Sequence, residues 1–176
     1  DSEFGNPLEG GDDVLRGGAG SNTYYGGAGN DTLILGLSSG GQNLLGGFGI
    51  DTVDLSAAIG NVSITLNDSS ITGGGGGLGT INSSEIENAI GSAFDDIINA
   101  GSPSPTLIAN NISGGEGNDI LTGAFGDDIL DGGNGNDLLR GDSGSSVFDG
   151  NDVLSGGAGL DKLEGGESAT AECADH

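Results

Sequence analysis

The stretch GGEGNDILT at residues 114–122 carries the pattern that decides the fold: two glycines, a third glycine two places on, an aspartate at the sixth place and an aliphatic residue at the eighth. The pattern returns as GGNGNDLLR at 132–140 and GGAGLDKLE at 156–164, and occurs earlier as GGAGNDTLI at 26–34 and GGFGIDTVD at 46–54. Two weaker copies are GAFGDDILD at 123–131 and LEGGDDVLR at 8–16. The chain is therefore a tandem array with a nine-residue period.

Each nine-residue unit predicts one turn followed by one short strand. Glycine permits positive φ and close backbone approach, whereas the three residues after the aspartate favour extended backbone. A strand of three residues cannot bury its single apolar side chain alone, so successive units must stack into a solenoid. The predicted core is the apolar eighth position, which is occupied by Leu15, Tyr24, Leu33, Leu44, Val53, Ile98, Ile112, Leu121, Leu130, Leu139, Phe148, Leu154 and Leu163.

The charge of the chain indicates that hydrophobic burial is not sufficient for folding. The chain has 27 acidic and only three basic residues, which gives a formal net charge of -24. Hydrophobic residues make up only 33% of the chain. Self-repulsion of this size opposes any compact state unless cations are bound. The same charge excludes nucleic acid and anionic membrane surfaces as partners.

The array resembles the repeats-in-toxin (RTX) family, whose secreted bacterial members carry GGxGxDxUx repeats. The resemblance covers residues 8–54 and 82–166. It implies an all-β fold, a parallel β-roll similar to a β-helix solenoid, in which unit n lies over unit n+2. It also implies several Ca²⁺ ions between stacked turns, held by the sixth-position aspartates and by turn carbonyls. Calcium prefers six to eight oxygen ligands of these two kinds.

The break in the period divides the chain into parts. We expect a tail or cloning remnant at 1–7, a first β-roll block at 8–54, a β-hairpin-like insertion at 55–81, a second β-roll block at 82–166 and a tail at 167–176. Val62, Ile64 and Leu66 alternate with polar residues in the insertion, and the glycines at 73–77 predict a loop. The missing initiator methionine suggests an attached domain of a larger parent protein.

The candidate calcium ligands combine the sixth-position aspartates with the glycines of the turns. They are Gly11, Asp13, Gly27, Gly29, Asp31, Gly47, Gly49, Asp51, Asp96, Gly115, Gly117, Asp119, Gly126, Asp128, Gly133, Gly135, Asp137, Gly150, Asp152, Gly157, Gly159 and Asp161. A single such aspartate is an ordinary turn former. The recurrence of glycine, aspartate and an aliphatic residue in one frame favours the metal-binding interpretation instead.

The stacking rule predicts columns of these ligands. In the first block Asp13, Asp31 and Asp51 share one column, and the opposite column has the neutral Asn22 and Gln42. In the second block the predicted columns are Asp96, Asp119, Asp137 and Asp152, and Glu87, Asn110, Asp128, Ser146 and Asp161. Neutral oxygens are weaker calcium ligands, so Asn22, Gln42, Asn110 and Ser146 are not expected to bind. Register errors are expected at the two-residue excess of Leu35-Gly36 and at the shortened unit beginning at Val147.

Catalysis has little support in the sequence. The only histidine is the terminal His176, so no Ser-His-Asp, Cys-His or histidine metal site can form within the array. We therefore expect a non-enzymatic calcium-binding module. The resemblance implies an extracellular protein, exported by type I secretion, whose repeats fold after export and stabilise or aid the secretion of an attached unit. The alternative is an adhesive module that binds a polysaccharide or a cell surface.

Overall fold

The computed structural model describes residues 2–5, 10–35, 41–66, 71–72, 80–101, 108–142, 150–166 and 170–172. These residues form β-strands and contain no helix, so none that could cross a membrane occurs among them. The strands are β1 Ser2–Gly5, β2 Val14–Arg16, β3 Asn22–Ala28, β4 Thr32–Ile34, β5 Gln42–Phe48, β6 Thr52–Asp54, β7 Ser63–Thr65, β8 Ile71–Thr72, β9 Thr80–Ser84, β10 Asn88–Ile90, β11 Ile97–Asn99, β12 Asn111–Glu116, β13 Ile120–Ala124, β14 Ile129–Asn134, β15 Leu138–Asp142, β16 Val153–Ala158, β17 Lys162–Glu164 and β18 Thr170–Glu172.

The strands form one long sheet and two short ones. The long sheet has eight strands in the order β18-β16-β14-β12-β10-β6-β4-β2. The N-terminal short sheet has the order β1-β3-β5-β9-β8, and the C-terminal short sheet has the order β17-β15-β13-β11-β7. Within the described residues, every strand pair is parallel except β8 with β9. The predicted fold class, an all-β parallel roll, is confirmed.

The core is a ladder of single apolar side chains, as the eighth-position pattern predicts. Because the chain alternates between sheets within each block, β14 pairs with β16 and β13 with β15, which places Leu130 beside Leu154 and Leu121 beside Leu139. Leu15 and Leu163 lie on the end strands β2 and β17 and are only partly buried, because each has a stacked neighbour on one side only. Phe148 lies outside the described residues. Fully buried eighth-position residues are Tyr24, Leu33, Leu44, Val53, Ile98, Ile112, Leu121, Leu130, Leu139 and Leu154.

Glycine is needed where one turn lies against the next. Gly133 has φ 99°, a left-handed value that side chains with a Cβ rarely adopt. A Cβ on Gly133 would also collide with the carbonyl oxygen of Gly115, one turn earlier. The turns therefore stack at a distance that only glycine permits.

The stretch between the two blocks contributes to the roll. Val62, Ile64 and Leu66 are buried, and β7 pairs in parallel with β11 as the first strand of the C-terminal short sheet. The antiparallel pair in this stretch is β8 with β9, in which Ile71 and Ile81 are partners in the backbone register. The side of the roll opposite the long sheet therefore changes here from one short sheet to the other, while the long sheet continues through β6 and β10.

The two predicted tails also contain strands. Residues 2–5 form β1, which pairs with β3, and residues 170–172 form β18, which pairs with β16. Both strands lie at an end of a sheet, where the neighbouring strand offers unpaired backbone groups. The expected tails thus extend the roll by one strand at each end.

Candidate metal centre

The sixth-position aspartates are fixed by hydrogen bonds between turns. Asp137 Oδ1 accepts a hydrogen bond of 2.8 Å from the Asp119 N–H, and Asp119 Oδ1 accepts one of 2.7 Å from the Asp96 N–H. In the first block Asp31 Oδ1 accepts one of 2.8 Å from the Asp13 N–H. One oxygen of each of these carboxylates therefore accepts a hydrogen bond from a backbone N–H of the preceding turn. This bond also fixes the direction of the other oxygen.

In five of the sixth-position aspartates that second oxygen is buried without a hydrogen-bond partner. This holds for the Oδ2 atoms of Asp31, Asp51, Asp119, Asp128 and Asp137. All five side chains are at most 2% exposed. A buried carboxylate oxygen without a partner loses its hydration without compensation, and each instance requires an explanation. A bound cation provides one.

Backbone carbonyls of the next turn point to the same places. A Cβ built on Gly132 would lie against Asp137 Oδ2 and 2.7 Å from the Gly156 carbonyl oxygen. The same construction on Gly114 meets Asp119 Oδ2 and, at 2.7 Å, the Gly132 carbonyl oxygen. A carboxylate oxygen of the same turn and a carbonyl oxygen of the following turn therefore lie close to each of these Cβ positions.

The donor set fits a hard cation. Among the described residues, no point gathers three or more histidine, cysteine or acidic side chains. A metal at these points must therefore take backbone oxygens as well as carboxylates, and this mixture suits Ca²⁺ rather than Zn²⁺.

The electrostatics of the columns are unfavourable without a cation. Burial raises the pKa of Asp119 to about 7, and the charges of Asp96 and Asp137 add to the increase. Burial and the charge of Asp152 raise the pKa of Asp128 to about 7, and burial with Asp31 and Glu87 raises that of Asp51 to about 6. The stacked carboxylates therefore resist ionisation at neutral pH, and a cation between the turns would remove this penalty.

Comparison with protein families supports this geometry. The sequence matches the RTX calcium-binding nonapeptide repeat (4 copies) at residues 9–33, 113–148 and 146–169. These units are RTX calcium-binding nonapeptide repeats. A comparison of the sequence with curated proteins finds no match.

The RTX columns of the first block are arranged as predicted, but those of the second block are not. Asp137 N–H donates to Asp161 Oδ1 and Asp128 N–H donates to Asp152 Oδ1, so the predicted places of Asp152 and Asp161 are exchanged. The spacing is 24 residues in both bonds, against 18 from Asp119 to Asp137. A Cβ on Gly141 would meet Asp152 Oδ2, just as one on Gly132 would meet Asp137 Oδ2, so Gly141 and Asp152 take the places of the first glycine and the aspartate of a single unit, where two units were predicted. Ser146 and Val147 lie outside the described residues.

Asp96 differs from the other RTX aspartates. Its Oδ2 accepts a hydrogen bond of 2.5 Å from the Ser92 N–H, and its Oδ1 accepts one of 2.6 Å from the Val62 N–H. Ser92 stands where the best RTX copies have their second glycine. Because both carboxylate oxygens are already used, Asp96 is a weaker candidate than Asp119 or Asp137.

In the neutral column of the first block the amide N–H groups are hydrogen-bonded, whereas Asn22 Oδ1 is buried without a partner. Asn22 Nδ2 donates to Gln42 Oε1 at 2.9 Å, and also to the Gly18 and Gly20 carbonyl oxygens. Gln42 Nε2 donates to the Gly20 carbonyl oxygen at 2.9 Å. Amide N–H groups here occupy turn carbonyls that a cation would otherwise use, and the absence of calcium from this column remains a prediction.

A second ladder at the fifth position of the RTX unit was not predicted. Asn118 Oδ1 accepts a hydrogen bond of 2.9 Å from the Asn136 N–H, and Asn136 Oδ1 accepts one of 2.8 Å from the Leu160 N–H. Asp12 Oδ1 likewise accepts a hydrogen bond from the Asn30 N–H. The repeated Asn-Asp pairs at 30–31, 118–119 and 136–137 were the available signal. The predicted glycines, other than Gly150, all have left-handed φ values, but the identity of the metal ligands remains a prediction.

Proposed function

We propose that this chain is a non-enzymatic calcium-binding β-roll module of a secreted bacterial protein, which folds when calcium becomes available after export and stabilises or aids the secretion of an attached unit. The observation that carries the proposal is the set of buried Oδ2 atoms without partners, at Asp31, Asp51, Asp119, Asp128 and Asp137. RTX repeat proteins are typically secreted by bacteria, which supports the extracellular part of the proposal.

The energetics support coupling between calcium binding and folding. At a free calcium concentration about ten times Kd, each site contributes about 1.4 kcal/mol of stability. Five such sites contribute roughly 7 kcal/mol, comparable to the whole stability of a typical domain. Where calcium is scarce this contribution disappears, and a glycine-rich chain with net charge -24 is expected to stay unfolded.

The experiment is a calcium titration of chelator-treated protein followed by far-ultraviolet circular dichroism. We expect a transition from a disordered to a β-rich spectrum. Magnesium at the same concentrations should substitute poorly, because it requires near-ideal octahedral geometry and releases its water reluctantly. A β-rich spectrum that persists unchanged in excess chelator would refute the proposal.

A surface-binding module is the second candidate. Ile97, Ile120 and Leu138 are aligned in register on the outer side of the C-terminal short sheet, and Ile97 is 49% exposed. An outward apolar column of this kind is suited to contact with a sugar ring or a cell-surface protein. A glycan array probed with the calcium-loaded protein and with an Ile97→Ser variant tests this function. Binding that the variant abolishes would favour it, and no binding would reject it for glycans.

A further inference from the structure

The two blocks of the roll meet at a junction that lies outside the matched repeats. The junction is formed by Asp51, before β6, and by residues 85–88, which lead from β9 into β10. The long sheet continues across it, because β6 pairs in parallel with β10. The chain between them departs to form β7 and β8, so residues 85–88 return to Asp51 from a distant point in the sequence.

Asp51 is held at this junction by hydrogen bonds to both blocks. Its Oδ1 accepts a hydrogen bond of 2.7 Å from the Asp31 N–H, and its own N–H donates at 2.8 Å to Glu87 Oε2. Its carbonyl oxygen accepts from the N–H groups of Glu87 and Asn88, at 3.1 and 2.9 Å. Glu87 thus takes the place that a sixth-position aspartate has elsewhere in the column.

The second oxygen of Asp51 is buried without a partner and faces a carbonyl of the second block. Asp51 is 0% exposed, and its Oδ2 accepts no hydrogen bond. A Cβ built on Gly46 would collide with both Asp51 Oδ2 and the Glu85 carbonyl oxygen. In the regular turns the second of these oxygens comes from a glycine, for example Gly46 beside Asp31. At the junction Glu85 supplies it.

The backbone of Glu85 adopts an unusual conformation in presenting this carbonyl. Its φ is 57°, and Ala124 is the only other non-glycine residue with positive φ among the described residues. Such a conformation is disfavoured for a residue with a Cβ and is kept only where its surroundings maintain it. The negative charges of Glu85 and Glu87 also contribute to the raised pKa of Asp51.

We propose that a calcium ion held by Asp51 Oδ2 and the Glu85 carbonyl oxygen, beside the Glu87 carboxylate, joins the two blocks into one cooperative folding unit. This inference rests on the calcium-binding function proposed above. It adds to Asp51, a repeat aspartate, a carbonyl from Glu85, which lies outside any copy of the repeat, and it makes that site incomplete until both blocks are folded. The site therefore transmits the folding of one block to the other.

The tyrosines report on the first block and on its border with the junction, because Tyr25 lines a hollow together with Glu85. The chain has two tyrosines and no tryptophan, and both tyrosines, Tyr24 and Tyr25, lie in β3. Tyrosine fluorescence therefore follows the first block during a calcium titration, and far-ultraviolet circular dichroism follows the whole chain. In the unaltered protein the two signals should have the same calcium midpoint.

The first test compares Asp51→Asn with Asp137→Asn, a matched change inside the second block. Asparagine keeps an oxygen for the Asp31 N–H but removes the charge. Each variant should bind about one calcium ion fewer by calorimetry, and only Asp51→Asn should separate the two midpoints. Coincident midpoints in Asp51→Asn would overturn the junction site. Absence of any calcium response in the unaltered protein would instead refute the proposed function and the junction together.

The second test isolates the backbone of residue 85. Glu85→Gly and Glu85→Val both remove the side-chain carboxylate, but only glycine readily keeps a left-handed φ. We expect Glu85→Gly to retain coincident midpoints and Glu85→Val to separate them. If both variants retain coincidence, the carbonyl is not required and the proposal fails. If both lose it, the carboxylate of Glu85 rather than its carbonyl makes the site, and the proposal also fails.

Discussion

The sixth-position aspartates with a buried, unpartnered Oδ2 use their two oxygens for different purposes. In Asp119, Oδ1 accepts the Asp96 N–H at 2.7 Å, whereas Oδ2 is buried without a hydrogen bond. The first oxygen sets the spacing of the turns, and the second makes the turn dependent on a cation. Structural and metal-binding roles can therefore be separated by substitution.

Asp119→Asn should lose calcium while keeping the contact between turns. Asparagine retains an acceptor for the Asp96 N–H, but its neutral oxygen is a weaker calcium ligand. We expect a lower calcium stoichiometry by calorimetry and a higher calcium midpoint for folding. The control is Asn22→Ala, which removes amide hydrogen bonds from a neutral column and should leave the stoichiometry unchanged. Equal losses in the two variants would show that the column assignment is wrong.

Acid should stabilise the calcium-free fold. The pKa values of Asp119 and Asp128 are raised on folding from 3.8 to about 7, so the folded chain binds protons more tightly than the unfolded one. Stability without calcium should therefore increase as the pH falls from about 8 toward 4, and it should be lost again as the pH rises through about 7. Circular dichroism in excess chelator checks this. A β signal that decreases between pH 7 and 5 would contradict it.

Sequence reasoning predicted the stacking of the first-block aspartates but not their individual environments. The sixth-position column follows from the period, because every strand must repeat the same orientation. The hydrogen bonds of Ser92 to Asp96 could not be predicted, since they depend on a serine adopting the place of a glycine. The fifth-position ladder of Asn118 and Asn136 was missed because only the sixth-position residues and the turn glycines were considered as functional positions.

The turns depend on glycines that stack directly on the preceding turn. Gly133→Ala should destabilise the calcium-bound fold by roughly 1–3 kcal/mol or more, because it adds left-handed strain and a clash with the Gly115 carbonyl. The control is Gly18→Ala, since a Cβ on Gly18 would have no neighbour within 4 Å. Thermal unfolding in saturating calcium compares the two variants. A similar small effect for both would argue against close stacking of the turns.

The strands themselves were predictable, but the connections between them were not. The eighth-position pattern correctly predicted the buried ladder that includes Leu130 and Leu139. The sequence of residues 141–152 resembled two separate units, because glycine and serine recur there at nearly the right spacing. Only the contact of Gly141 with Asp152 shows which residues close the turn. Turn length is weakly constrained by the period, since an insertion at a surface turn leaves the strands in register.

The described residues form a roll in which one long sheet lies opposite two short sheets, with a line of apolar side chains on each inner face. The long sheet spans both blocks, whereas the facing surface is divided between two short sheets. With a net charge of -24 and 33% hydrophobic residues, the roll has little stability to spare without cations. The columns of buried carboxylates thus connect the folding of the whole chain to its ionic surroundings.

The most direct measurement is a crystal structure of the calcium-loaded protein in which the ions are located by anomalous scattering. The account predicts peaks between turns, beside Asp119 Oδ2 with the Gly132 carbonyl and beside Asp31 Oδ2 with the Gly46 carbonyl. It predicts none beside Asn22 and Gln42, whose amides already bind the Gly20 carbonyl. An ordered roll with no ion at either aspartate, or with ions at the amide column instead, would contradict it.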